Sequence, residues 1–232
     1  MRQSRIRAGL RVKDLHDVVR RQNILLTELS ITDDLTGLFN RRYLTRKLDE
    51  RIVHLRSARG VLSCALLDLD RFKQVNDASG HLAGDEILMK VGGILKDSLG
   101  SGDIAGRWGG DEFLVIFSEE KSKSGDGAPE ALIREWSNRL QPLIEKLKPI
   151  GVSAGVAAVK GPDPNLDPVN LIADLDRLLY QAKQNGKIHF VFAKFDSVGR
   201  RKGARPEPRK KSADQRPLIF VLEDDADLCS II

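Results

Sequence analysis

Two short segments carry the residue types that chemistry needs. The first is Asp68-Leu69-Asp70, which closes an apolar run from Val61 to Leu69. Alternation along a strand puts Asp68 and Asp70 on one face. A carboxylate at the end of a buried strand is costly unless it is paired or bound to a cation. Mg²⁺ takes hard oxygen ligands, typically one or two carboxylates plus substrate phosphates. Asp68 is therefore a metal-ligand candidate, against the plainer alternative of a solvated strand end. The second segment is Arg107-Trp-Gly-Gly-Asp-Glu-Phe113. Two acids directly after a Gly-Gly pair are brought to a sheet edge, and glycine lets a ribose or phosphate come close to the backbone. If the two segments are neighbours, Asp68 and Asp111 meet. Together they suit divalent cations and activation of a hydroxyl for in-line phosphoryl transfer.

The elements that must position these groups follow from periodicity and punctuation. Val61 to Leu69 is nearly all apolar, as expected of a central strand covered on both faces. The spacing predicts helices over about 40–58, 82–99, 129–147 and 167–185. Strands are expected over about 103–108, 112–118, 150–159 and 187–193, with the Gly109-Gly110 pair joining the first two in a type I′ hairpin turn. The order β-α-β-β-α-β predicts an α+β, ferredoxin-like domain around an antiparallel sheet with helices on one or both faces.

Around this domain the chain of 232 residues divides further. Residues 1–31 read as a long N-terminal helix whose Leu15, Val18, Gln22, Leu25 and Leu29 follow a 3-4-3-4 spacing. That spacing fits a parallel dimer helix or an amphipathic helix packed on its own domain. Residues 32–195 form the compact domain, and 196–216 are a basic linker with almost nothing apolar to bury. Residues 217–232 switch to a buried-strand pattern, Pro217 to Leu222, then Glu223-Asp224-Asp225 and a helix-like start.

Charge is unevenly spread. The net +5 arises from +5 in residues 1–13, +6 in 200–216 and −4 in 217–232, which leaves −2 on residues 14–199. Basic ends on a slightly acidic body argue against a nucleic-acid-binding face. No apolar run approaches the ~18 residues of a membrane span. Cys64 and Cys229 stand far apart without a partner pattern, so reduced thiols and a cytoplasmic setting are expected.

Gly109-Gly110-Asp111-Glu112-Phe113 is the signature that names the GGDEF family of diguanylate cyclases, and the chain resembles that family in several ordered blocks. These are Asp34-Leu-Thr-Gly-Leu-Phe-Asn-Arg-Arg42, Asp68 to Asp77, Gly80-His81 with Gly84-Asp85, Val152 to Val156, and Ala182-Lys183 with Gly186-Lys187. The resemblance implies a nucleotidyl-cyclase palm with a central, mostly antiparallel five-stranded sheet. It implies condensation of two GTP into cyclic di-GMP across a homodimer, with release of pyrophosphate and with Mg²⁺, or Mn²⁺ in its place. Under it Asp68, Asp111 and Glu112 hold the metal with help from the Leu69 carbonyl. Asp111 or Glu112 helps deprotonate the 3′-hydroxyl, and Lys73 stabilises phosphate charge. The N–H groups of Arg71 and Phe72, with Lys183 and Lys187, touch the phosphates; Asn76, Asp85 and His81 line the guanine pocket. Lys187 stands where the family commonly has arginine. The family's Arg-x-x-Asp inhibitory stretch here reads Gly100-Ser-Gly-Asp103, so weak or absent feedback through it is expected. The same blocks also suit a non-catalytic module that binds GTP or a cyclic dinucleotide. Leu218 to Asp225 resembles the start of a response-regulator receiver domain, or is merely an acidic tail; a receiver or an upstream sensor would be the regulatory partner.

Overall fold

The computed structural model describes residues 31–118, 129–184, 188–195, 218–223 and 229–231. The predicted helix over 1–31 (apart from its last residue), the linker over 196–216 and Lys187 lie outside these residues.

The sheet is built around β2 (Gly60–Leu69), whose last eight residues are all buried. It runs antiparallel to β4 (Glu112–Phe117) on one side and to β5 (Val152–Gly161) on the other. β3 (Ile104–Gly109) pairs antiparallel with β4, and β6 (Ile188–Phe195) pairs parallel with β5. These five strands, β3-β4-β2-β5-β6, form the expected mostly antiparallel sheet. The two-residue β1 (Phe39–Asn40) extends it beside β3. On the far edge β7 (Leu218–Glu223) pairs with β6, and β8 (Cys229–Ile231) pairs with β7, giving eight strands in all. A strand therefore stands at 229–231 where the sequence pattern suggested a helix start. The pairing satisfies backbone groups that β6 would otherwise leave at an open edge.

Helices cover both faces, which explains why β2 reads as continuous rather than alternating apolar. On one face Ala65, Leu67, Phe113, Val115 and Val156 meet α3 (His81–Ser98) and α4 (Pro129–Leu147). On the other, Cys64, Leu66, Leu114 and Ile116 meet α1 (Arg41–Ser57) and α5 (Pro168–Gln184). α1 turns Leu44, Leu48, Ile52 and Leu55 inward at helical spacing, and the Asn40 side chain caps its first turn by accepting from the Tyr43 N–H at 3.0 Å. The short α2 (Phe72–Ser79) stands between the end of β2 and α3.

α5 comes so close to β5 that no side chain fits between them at Gly155. A Cβ there would lie 2.3 Å from the Leu175 carbonyl oxygen and 2.5 Å from the Leu179 nitrogen. Both contacts are backbone and cannot swing aside. Gly155→Ala is expected to destabilise the fold by about 1–3 kcal/mol, the usual range for overpacking, as measured by urea unfolding.

Candidate functional site

β2 and β4 pair with Asp68 opposite Glu112, and β2 and β5 pair with Asp68 opposite Ser153. Directly paired residues share a sheet face, so Asp68, Glu112 and Ser153 line the α1/α5 side at one end of the sheet. The hairpin turn differs by one position from the sequence expectation. Gly109 is the last residue of β3 and pairs with Glu112, so the central turn residues are Gly110 and Asp111. Gly110 has φ +45° and Asp111 does not adopt positive φ, which is the type II′ requirement rather than I′. Shifting the turn moves Asp111 to its tip and puts Glu112, rather than Asp111, directly across from Asp68.

Asp68 is 8% exposed. Burial pushes its carboxyl above the ordinary value, and the charges of Asp111 and Asp70 add to this; Lys183 pulls the other way without cancelling it. Lys183, near the end of α5, places its Nζ 2.7 Å from Asp68 Oδ2. Glu112 is raised as well, by burial first and then by Asp68, Asp176 and Asp111, against an opposing pull from Lys183. Asp70 donates its N–H to the Gly151 carbonyl and accepts the Ser153 hydroxyl at 2.7 Å, which ties the ends of β2 and β5 together.

Arg71 leads into α2 with φ +60°, a left-handed conformation that turns the chain sharply off the strand end. The first N–H groups of a helix have no acceptor within it; here the Gln74 and Val75 N–H groups already donate to the Arg71 carbonyl, which leaves those of Phe72 and Lys73 to face an anion. Arg71 and Lys73 are exposed, Phe72 is half-buried against the core, and the Leu69 side chain is buried. α2 ends at Gly80 with φ +83°, and exposed His81 starts α3. Where α2 faces α3, the Asn76 Oδ1 is buried with no hydrogen-bond partner. A Cβ on Gly84 would lie 2.0 Å from that oxygen and 3.1 Å from the Phe72 ring. Asn76, Phe72, Gly84 and the half-buried Asp85 thus frame a place with an unmet polar atom and a missing side chain.

Residues 30–189 match the family described as "Diguanylate cyclase, GGDEF domain". The chain belongs to that family. It is 34% identical over 166 residues to diguanylate cyclase DgcP of Pseudomonas aeruginosa, covering 68% of this chain and 23% of DgcP. It is 31% identical over 186 residues to response regulator PleD of Caulobacter vibrioides, covering 79% of this chain and 40% of PleD. The match to diguanylate cyclase DgcS of Shewanella oneidensis is 35% identical over 155 residues, 67% of this chain and half of DgcS. The chain thus spans no more than half the length of these relatives. Among solved structures it resembles diguanylate cyclase SiaD of Pseudomonas aeruginosa, crystallised with its activator SiaC. The TM-score is 0.60 at 29% identity, over 83% of this chain and 73% of that one. It also resembles the GGDEF domain of DgcB from Caulobacter crescentus in complex with c-di-GMP. There the TM-score is 0.59 at 25% identity, over 72% of this chain and 96% of that one.

Among the described residues no three His, Cys, Asp or Glu side chains are already gathered as a metal cage. The donor set nonetheless fits a divalent cation completed by phosphate oxygens: hard carboxylates at one strand end, of which Asp68 and Glu112 are raised by burial first and by neighbouring charge second, with an ammonium against Asp68. Among the described residues no helix is long and apolar enough to cross a membrane. The Cys64 thiol, fully buried, is pushed up to about 12, so it stays protonated and inert.

The sequence pattern did not single out Asp33, Arg107 or Ser153. Arg107 Nε donates to the Gly110 carbonyl at 2.9 Å, and Arg107 Nη1 lies 3.5 Å from Asp33 Oδ2. Asp33 stands three residues before Thr36, a spacing at which a side-chain oxygen caps a turn, and that was the available signal.

Because the folded pKa of Asp68 lies above its unfolded value, the native state binds the proton more tightly. Its ionisation costs stability that is lost as pH rises from the unfolded value through the folded one. In the absence of divalent cation, Asp68→Asn is expected to raise the thermal midpoint at neutral pH, with the gain shrinking toward acid pH. Scanning calorimetry in chelator across pH checks this, and wild type alone should gain stability on adding Mg²⁺.

Proposed function

We propose that this domain condenses two molecules of GTP into cyclic di-GMP, with each subunit of a homodimer holding one GTP. Each 3′-hydroxyl oxygen attacks the α-phosphorus of the other GTP. A phosphodiester bond forms, the bond to pyrophosphate breaks, and the hydroxyl proton passes to a carboxylate. The observation that carries this reading is the completeness of the set at one end of the sheet: Asp68 opposite Glu112, Asp111 at the turn tip, Lys183 against Asp68. A domain kept only for binding would be free to lose some of these groups.

Asp68, Asp111 and Glu112 would hold Mg²⁺ or Mn²⁺, with the Leu69 carbonyl as a further donor. The ion would supply charge neutralisation for the phosphates and acidify the attacking hydroxyl. Glu112 suits the proton acceptor, since its raised carboxyl gains a proton more readily than an ordinary one. Lys73, Lys183 and Lys187 serve as point charges for the triphosphate, together with the N–H groups of Arg71 and Phe72. Asn76 and Asp85 read guanine. The Asn76 oxygen, unmet in the protein, would accept from the base, and Asp85 would accept from the N1–H and N2–H₂ pair that adenine lacks. His81 borders the same pocket. A GTP substrate, and the reduced state expected of Cys64 and Cys229, would suit a cytoplasmic setting. The helix expected from the sequence over 1–31 would set the dimer, and a receiver beginning at 217 or an upstream sensor would regulate it.

Feedback inhibition through the Gly100–Asp103 stretch is not part of this proposal. The Asp103 side chain is fully buried and accepts from the Gly100 and Ser118 N–H groups and from Arg139, each at 2.8 Å. Its lone pairs serve the fold, and no arginine fork stands at position 100 to clamp a guanine.

Purified protein with GTP and Mg²⁺ is expected to yield cyclic di-GMP by chromatography. Asp111→Ala should lose at least about a hundredfold, the scale for removing a group that stabilises developing charge. Product formed equally by both, or by neither, would defeat the reading. Micromolar cyclic di-GMP should leave the initial rate nearly unchanged.

A further inference from the structure

The strand beyond β6 ends where the phosphate-binding groups stand. β7 pairs antiparallel with β6, from Leu218 opposite Lys194 to Glu223 opposite Ile188. β6 runs parallel to β5, with Phe190 opposite Ala154 and Phe195 opposite Val159. Ser153, beside Ala154 near the start of β5, is opposite Asp68, so β6 starts at the end of the sheet that holds the carboxylates. The antiparallel sense of β7 therefore carries Glu223, its last residue, to that same end. A parallel strand would have carried it to the other.

Register also sets the face. Ala154, Phe190 and Leu222 are paired in turn, which assigns all three positions to the side of the sheet covered by α3 and α4. Glu223 follows Leu222, so alternation assigns it to the α1/α5 side, the side of Asp68, Glu112 and Ser153. The bulge between Ile188 and Phe190 leaves this unchanged, because the extra residue is in β6 and β7 runs on without one. Two strand spacings, about 10 Å, separate Glu223 from β5. The lysines are close in sequence to its partner: Lys183 is in the last turn of α5, and Lys187 immediately precedes Ile188. Residues 218–222 carry no charge, whereas Glu223, Asp224 and Asp225 are three acids in a row. Charge at the end of an edge strand discourages pairing with other chains. At this end of this sheet it also adds negative potential where a triphosphate would bind.

We propose that the strand Leu218–Glu223 is an autoinhibitory brake on GTP binding: held on β6, it brings the negative charge of Glu223 to the phosphate-binding end of the sheet, where it opposes the triphosphate. This rests on the cyclase reading for the identity of the ligand but not for the placement of the strand. The brake acts on how tightly GTP is held, and the reacting groups on β2 and the β3–β4 hairpin are left as they are. Whatever draws the strand off β6 takes the charge with it, so occupancy of this edge sets the affinity for GTP. The interaction crosses solvent at about 10 Å, against a Debye length of about 8 Å in physiological salt, so it is strongest in dilute buffer.

The test uses the full chain and two sets of substitutions. The charge set is Glu223→Gln, Asp224→Asn and Asp225→Asn together. The pairing set is Val221→Pro with Leu222→Pro: neighbouring N–H groups along a strand point to opposite edges, so adjacent prolines remove a donor to β6 whichever it is. All of these positions lie outside residues 30–189, the part that matches the family, so the domain keeps its own core. In dilute buffer each set is expected to lower the KM for GTP roughly threefold or more, with kcat within about twofold, and the difference should fade by about 0.3 M salt. The two sets combined should lower KM no further than either alone, because the acids act only while the strand is held. Backbone hydrogen exchange over 190–194 should quicken in the pairing set. An unchanged KM in the charge set would overturn the proposal and leave the acids as a guard on the edge. Effects that multiply in the combination would overturn it too, as a matter of net charge alone, and so would unchanged exchange in β6. If wild type makes no cyclic di-GMP, the cyclase reading fails separately, and equilibrium binding of GTP with Mg²⁺ to the same variants supports or overturns the brake. No GTP binding by any variant would overturn both.

Discussion

Two carboxylates face each other across neighbouring strands at the end of a strand buried on both faces, and the site is organised around that opposition. Asp68 and Glu112 are fixed there by six consecutive residue pairs of β2 with β4, not by any affinity of their own. Burial and mutual repulsion raise both carboxyls. Such an arrangement stores free energy that a cation can release, and in the protein alone Lys183 fills part of that role at 2.7 Å. The hydrophobic contacts of β2 with four helices outweigh this local cost.

The remaining parts of the site follow from what surrounds that strand end. α5 delivers Lys183 because its backbone lies directly on Gly155, one pleat from the residue paired with Asp68. The left-handed Arg71 bends the chain from β2 into α2, and the close approach of α3 at Gly84 leaves Asn76 with an unmet oxygen. The hairpin's own Arg107 meets both the Gly110 carbonyl and Asp33 of the lead-in segment. The groups proposed to meet phosphate, base and hydroxyl thus come from separate elements that share one end of the sheet, where loops rather than ladder bonds leave the chain free to face a ligand.

Much of this was legible in the residues. The apolar run over 61–69 announced a doubly covered strand, and helical spacing in 41–57 and 168–184 marked the helices to within a residue or two at each end. The blocks at 68–77 and 109–113 identified the family before any geometry was known. Less legible was the turn. Gly-Gly invited a turn centred on both glycines, but the bulge at Trp108 moved Gly109 into the strand and Asp111 onto the tip. A bulge depends on which neighbours press on a strand, here Arg41 over Trp108, and leaves little trace in local sequence. Asp33 and Arg107 were likewise invisible as a pair, since 74 positions separate them and neither breaks its local pattern.

The sequence by itself determined which side chains are available: hard carboxylates, lysines, a glycine turn, and the Asn–Asp pair that the family resemblance assigns to guanine. These are properties of residue type and short-range order, which the chain carries whether folded or not. Only the tertiary structure decided which acid faces which, that Lys183 meets Asp68, that Asp103 is consumed by Arg139 and backbone donors, and that Asp33 of the lead-in segment meets Arg107 beside the hairpin turn. Those are matters of strand register and helix docking. They are selected by summed packing over the whole sheet, so no local window of the sequence contains them.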